Sequence, residues 1–260
     1  PANVLISDNG PILVDAGDGA VQQLAKAGIA APAVRAVFLS HLHFDHVGGL
    51  AALLGLRQQL GAKGKLPIYG PPGTRDFVAG LVNAMRPSSE AGYGIPGQSF
   101  EDPAGTVEVT ELVDGQALQL PRLAVTVRQN SHYSFPPGSE LDRRFKSFSF
   151  RFDLSDRSIV YTGDTGPSRA VEELAKGADL LVSELIDEAA TIAGVRRNSP
   201  NADPTQIRMI VQHLTSHHLT PGDVGRIARI SKVKAVVVTH LAGDHPVKRD
   251  IERYRACIRA

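Results

Sequence analysis

The chain has one cysteine, Cys257, in 260 residues, so no intrachain disulfide can form. That scarcity fits a reducing compartment without requiring one. No apolar run reaches 18 residues, which argues against a membrane span. Charge of one sign is also missing: 28 basic residues against 27 acidic ones leave a formal net charge of +1. Bulk electrostatics therefore give no support for a polynucleotide or anionic-membrane partner, although a local patch is compatible with this balance. No internal repeat or low-complexity linker divides the chain, and residues 1–260 are expected to form a single domain. The chain opens at Pro1 without an initiator Met, directly in a strand-like run. A preceding segment is expected to be missing, which leaves cytoplasmic and periplasmic locations both open.

What is present is a regular alternation of apolar runs and turn signals. Asn3–Ser7 and the run 11–15 flank Asp8-Asn9-Gly10, and Asn-Gly predicts a tight hairpin. Asp18 reads as the N-cap of a helix that stops at Gly28. Residues 36–40 and 66–69 read as buried strands, and residues 50–60 and 74–85 as helices. Residues 86–105, rich in Pro, Gly and Ser, read as a surface loop or lid shaping a pocket mouth. Strand character returns in 106–129, and residues 147–152 and 158–162 read as a strand pair. The remaining order is helix (168–176), strand (179–183), helices (204–213 and 221–230), strand (235–239) and helix (247–257). Hairpins followed by strand–helix alternation predict an α/β fold with two sheets covered by outer helices.

The segment His41-Leu42-His43-Phe44-Asp45-His46 directly follows the predicted strand 36–40. Three imidazoles and a carboxylate within six residues supply nitrogen and oxygen donors suited to zinc. A histidine-rich polar loop is the plain alternative, but strand-end loops carry function disproportionately. Distant partners share the same context: His132, Asp164 and His240 each follow an apolar strand. Alone, His132 or His240 would read as an ordinary surface histidine; as a set they read as a metal site.

This pattern resembles the metallo-β-lactamase superfamily, whose members carry a His-x-His-x-Asp-His motif, then a His, a bridging Asp and a final His. The resemblance covers nearly the whole chain and implies an αββα four-layer sandwich. It further implies two divalent ions, zinc first and manganese as the alternative. His41, His43 and His132 would hold one ion, Asp45, His46 and His240 the other, and Asp164 would bridge them together with a water or hydroxide. Finer features resemble the branch containing ribonuclease Z and the arylsulfatase-like hydrolases: the segment 13–19 (Leu-Val-Asp-Ala-Gly-Asp-Gly), Ile68-Tyr69-Gly70-Pro71, and His218-Leu219-Thr220 before a helix. In that branch a His at the His218 position reaches the reacting group and a Glu, matched by Glu184, steadies it. Asp45 is then both a ligand and the orienter of the nucleophile.

Departures from that branch shape the expected substrate. Only residues 133–163 separate His132 from Asp164, which leaves little room for the long tRNA-clamping arm of many ribonuclease Z enzymes. Ser183-Glu184-Leu185-Ile186 also replaces the ribonuclease-type His-Glu-Ala-Thr segment. Asp164 stands where zinc β-lactamases commonly carry Cys, and His43 where the iron-type redox branch carries Glu. The expected function is hydrolysis of a small ester, first a phosphodiester or related ester, by a metal-bound hydroxide. A lactone or β-lactam substrate is the runner-up, and a metal-stabilised nucleotide or nucleic-acid binding module is the non-enzymatic alternative. Expected partners are a small-molecule substrate and, where the pattern allows it, a second copy of the chain. Neither a membrane nor tRNA is expected. His213 and His217 read as helix-end structure, with His213 the nearer to a supporting role. Arg143, Arg144 and Lys146 read as a solvated face, and Tyr93, Phe100 and Phe135 as pocket lining or packing.

Overall fold

The computed structural model describes residues 1–99, 101–242 and 248–260. They form two compact units, residues 1–113 with 140–146, and residues 114–139 with 147–260.

In the first unit a five-stranded sheet has the order β1-β2-β3-β4-β5. Strands β1 (Asn3–Ser7) and β2 (Gly10–Val14) form the antiparallel hairpin, with Ser7 opposite Gly10. Positive φ falls on Gly10 alone (101°), not on Asp8 or Asn9, so the turn uses the glycine rather than the asparagine. Strands β3 (Ala36–Phe38), β4 (Leu66–Gly70) and β5 (Val107–Glu111) add in parallel. Helices α1 (Ala20–Lys26), α3 (Leu50–Gln59) and α4 (Thr74–Ala91) connect them, and a single turn, α2 (Phe44–Val47), carries part of the histidine motif. Leu13, Val37, Leu39, Leu50, Leu53, Ile68 and Val78 are buried in one cluster, where strand and helix faces meet.

Two local expectations give way here. The N-cap of α1 is Gly19, in the left-handed conformation, and not Asp18. Helix α4 runs on to Ala91 with Pro87 inside it, so the first part of the expected 86–105 loop is helical. Proline removes one backbone donor from a helix but does not end it when the flanking turns hold.

In the second unit a six-stranded sheet has the order β11-β10-β9-β8-β7-β6. Strands β6 (Ala117–Leu120), β7 (Leu123–Gln129), β8 (Phe148–Asp153) and β9 (Ser158–Tyr161) form an antiparallel meander. The short helix α5 (Glu140–Arg144), which belongs to the first unit, lies between β7 and β8 in sequence. Phe148, Phe150 and Phe152 alternate along β8 and are all buried. Strands β10 (Leu180–Ile186) and β11 (Ala235–Ala242) continue the sheet in parallel. Helices α6 (Arg169–Leu174), α7 (Glu188–Asn198), α8 (Pro204–Ser216), α9 (Pro221–Ser231) and α10 (Lys248–Arg259) complete the unit. Its core gathers Val160, Leu174, Leu181, Leu185, Leu219, Val224 and Ile227.

Helix α7 escapes the sequence pattern because it buries only Thr191 and Gly194 and so has no apolar stripe. Its signal was the N-cap, Asp187, whose carboxylate accepts the Ala190 N–H at 3.1 Å. Helix α10 fits the final predicted helix, although Val247, where that prediction began, lies outside the described residues, as does Phe100. Among the described residues no helix is long and apolar enough to cross a membrane.

Candidate metal centre

The first donor group sits where β3 ends. His41 and His46 are buried, His43 is partly buried and Asp45 is exposed on the first turn of α2. The His41 ring centroid lies 4.6 Å from that of His43 and 4.1 Å from that of His46. Asp45 Oδ2 approaches His46 Nε2 to 3.5 Å.

Asp15 organises this group from the end of β2. It takes a positive φ of 60°, which a non-glycine residue adopts only when its surroundings compensate. Its N–H donates to the Phe38 carbonyl (2.7 Å) and its carboxylate turns inward. That carboxylate accepts the Ser40 N–H (2.7 Å), the Ser40 hydroxyl (2.9 Å) and His46 Nδ1 (2.9 Å). The Ser40 hydroxyl lies 3.0 Å from His41 Nδ1 and can accept its proton. One buried carboxylate thus favours the Nδ1–H tautomer of both rings, an assignment made from the network. Nε2 then carries the lone pair, which is how carboxylates orient metal-binding imidazoles. The donor set therefore fits a divalent ion of the zinc type.

Backbone contacts hold the motif against the end of β2. Ala16 N–H donates to the His46 carbonyl at 2.7 Å, and Gly49 N–H to the Ala16 carbonyl at 2.8 Å. The approach requires Gly17, since a Cβ there would lie 1.9 Å from the Asp45 carbonyl oxygen.

The second donor group comes from the segments that follow β7 and β9 and from within β10 and β11. Asn130 accepts the His132 N–H at 3.1 Å, while its own amide donates to Ser149 Oγ and to the Thr162 carbonyl. His132 is fully buried, with Nδ1 3.1 Å from the His217 carbonyl, again the Nδ1–H tautomer. Asp164 follows β9 through Gly163 and is buried; its Oδ1 lies 2.9 Å from His240 Nδ1.

His240 does not follow β11, as its sequence context suggested, but lies within it. Ser183 pairs with Val238 and Leu185 with Leu241, so β11 holds one extra residue at this point. His240 has φ 39° there. A bulge of this kind re-aims a side chain that a regular strand would present elsewhere.

Glu184 lies inside β10. Its Oε1 accepts the Thr165 N–H at 2.7 Å and its Oε2 lies 2.8 Å from His218 Nδ1. Both side chains are buried, and His218 Nδ1 is 3.9 Å from Asp164 Oδ2. Burial and then the Asp164 carboxylate push the Glu184 carboxyl well above its ordinary range, against the pull of the Thr165 N–H. His218 stands two residues before the N-cap of α9, where Thr220 and Asp223 form a reciprocal capping box across Pro221. Asp164, Glu184 and His240 bring donor atoms within 4.8 Å of one another, and so do His132, His213 and His218.

The sequence expectations thus fall into two gathered sets: His41, His43, Asp45 and His46 in the first unit, and His132, Asp164, Glu184, His218 and His240 in the second. Asp15 and Ser40 were not singled out. The signal was there in Asp15, a carboxylate ending an apolar strand. Arg144 on α5 pairs with Glu140 in solvent, while Lys146, just after the helix, makes a half-buried pair with Asp142. The Tyr93 hydroxyl donates to the Gln59 carbonyl while the residue stays exposed and lines a cavity, and Phe135 packs on Tyr133.

Residues 11–241 match the model of the beta-lactamase superfamily domain. The chain belongs to that superfamily. A ribonuclease Z of Mycolicibacterium paratuberculosis is 30% identical over 245 residues, covering 92% of this chain and 79% of the relative. This places the chain in the ribonuclease Z branch. The metallo-beta-lactamase fold protein YhfI from Bacillus subtilis superposes with a TM-score of 0.67 at 19% identity, over 100% of this chain and 83% of that one. Human tRNase Z, short form, does so with a TM-score of 0.64 at 23% identity, over 93% and 85%. The fold is the αββα metallo-β-lactamase type, and the protein is a metal-dependent hydrolase.

One expectation is corrected by these relatives: tRNA cannot be set aside as a partner. A relative matched over 92% of the chain is named ribonuclease Z, and a structural neighbour is named a tRNase. The short 133–163 segment bears on one accessory contact, not on the reaction centre. A net charge of +1 averages over the whole surface and says little about local phosphate contacts.

Proposed function

We propose that residues 1–260 act as one dinuclear metallohydrolase domain that cleaves phosphodiesters, RNA among them. His41, His43 and His132 would hold one ion, Asp45, His46 and His240 the other, and Asp164 both. The near-complete nitrogen and carboxylate donor set favours zinc, with manganese the alternative. When bound, two such ions lower the pKa of an attacking water and neutralise charge on the attacked centre.

The chain's own residues supply the rest. Asp45 accepts a hydrogen bond from the attacking water and orients it. His218 donates a proton from Nε2 to the leaving oxygen, as general acid catalysis requires. Glu184 accepts the Nδ1–H of His218, holds the ring in place and stabilises its cationic form. The observation that carries this reading is the buried His218–Glu184 pair at 2.8 Å, with Asp164 Oδ2 3.9 Å from the same nitrogen. A generic two-ion site needs no such pair, whereas expulsion of a poor leaving group does. Membership of the ribonuclease Z branch supports the choice of phosphodiesters.

The test is a panel of bis(p-nitrophenyl) phosphate, a phosphomonoester, a sulfate ester, a lactone, a β-lactam and precursor tRNA, run with zinc- and manganese-loaded protein. Turnover of phosphodiesters above the other classes is expected. Turnover of the lactone or β-lactam and of no phosphodiester would overturn it in favour of carbonyl hydrolysis, and uptake of metal with no turnover of any substrate, precursor tRNA included, in favour of a binding module.

A further inference from the structure

His213 has no part in the chemistry above, yet it completes a triangle of imidazoles. Its ring centroid lies 5.1 Å from that of His132 and 5.2 Å from that of His218, and the His132–His218 separation is also 5.2 Å. The ring planes meet at 67°, 81° and 86°. A zinc ion bound at about 2.0–2.1 Å to three ring nitrogens in tetrahedral directions sets the ring centres about 5 Å apart. The triangle has that size without any adjustment.

The tautomers agree with the distances. His132 Nδ1 faces the His217 carbonyl (3.1 Å), His218 Nδ1 faces Glu184 (2.8 Å) and His213 Nδ1 faces His217 Nδ1 (2.9 Å). With Nδ1 turned to these partners on all three rings, Nε2 is the nitrogen that would ligate an ion, and the three residues bring donor atoms within 4.8 Å of one another. The last turn of α8 sets this up, because His217 N–H bonds the His213 carbonyl while the His217 carbonyl receives His132.

We propose that His132, His213 and His218 form an alternative three-histidine zinc site. The inference rests on the dinuclear reading, because His132 Nε2 cannot serve two ions at once. An ion held here is therefore exclusive of the position built from His41, His43 and His132, and it also captures His218, the proton donor. The enzyme thereby has a metal-loaded but inactive state, entered when an ion moves between the two sets of ligands.

Full-length protein stripped of metal and titrated with zinc against a chromophoric chelator tests this. Wild-type protein should bind two equivalents. The His41→Ala/His43→Ala double variant should still bind two, because the alternative site takes the displaced ion. Adding His213→Ala should remove one of them. Loading with cobalt(II) should give the double variant a tetrahedral visible band that the triple variant loses. His213→Gln, checked by circular dichroism, replaces His213→Ala if the alanine form does not fold. A double variant that binds one equivalent, or a triple variant that keeps two, overturns the alternative site while leaving the dinuclear reading intact. Wild-type protein that binds none sinks the dinuclear reading and the alternative site with it.

Discussion

Glu184 Oε2 and His218 Nδ1 lie 2.8 Å apart, and both side chains are buried. A carboxylate in that position holds the imidazole by its far nitrogen and leaves the near one for the reacting group. His218→Ala is expected to keep metal and fold while lowering kcat and kcat/KM together, by roughly 10²–10⁴-fold. The loss should shrink for a nitrophenolate leaving group, which needs no proton. Steady-state kinetics on a good and a poor leaving group, with metal content measured alongside, decides this. Equal losses on both would assign His218 to orientation or charge stabilisation instead.

Asp15→Asn tests the support beneath the first donor group. Asparagine can keep the Ser40 N–H contact but presents an amide group where His46 and the Ser40 hydroxyl now meet a carboxylate. Metal affinity should fall roughly 10–100-fold with the fold retained. Competition with a chelator of known affinity measures it, and an unchanged affinity would remove Asp15 from the site.

Gly17→Ala probes the close approach of the β2 end to the metal motif. The added methyl would lie 1.9 Å from the Asp45 carbonyl oxygen, a backbone atom that can yield only by moving α2. Overpacking of this kind costs roughly 1–3 kcal/mol. Urea unfolding should show that loss, accompanied by weaker metal binding; a variant equal to wild type in both would refute the constraint.

Acid stability should depend on Asp179. Lys234 first, then the Ser158 N–H and hydroxyl, lower its carboxyl from 3.8 to about 2. A carboxylate whose folded pKa is depressed stabilises the protein above its unfolded pKa, and loses that effect as pH falls through the folded value. Asp179→Asn should therefore lower Tm at pH 5–7, and the two proteins should converge as pH drops from about 4 toward 2. Thermal unfolding across that range checks it, and a constant difference at every pH would exclude the ionised carboxylate as the cause.

By itself the sequence determined whatever depends on neighbours a few positions apart. The alternating Phe148, Phe150 and Phe152 mark a strand with one apolar face, and that face is buried. The compact His41–His46 motif declares itself because its donors lie within one turn of a strand end, where β3 gives way to α2. Helix ends with strong local chemistry, such as Pro221 after Thr220, were legible too.

Only the tertiary structure decided the rest. Asp15 reaches His46 across 31 positions, and no local rule could pair them. The aim of His240 depends on an extra residue in β11 measured against β10, a property of two strands in register rather than of either alone. Helix α7 shows no stripe because little of it is buried, and α4 passes Pro87 because its flanking turns hold. Propensity and periodicity act over a few residues, whereas a site is assembled by chain segments that meet only when the sheet has formed.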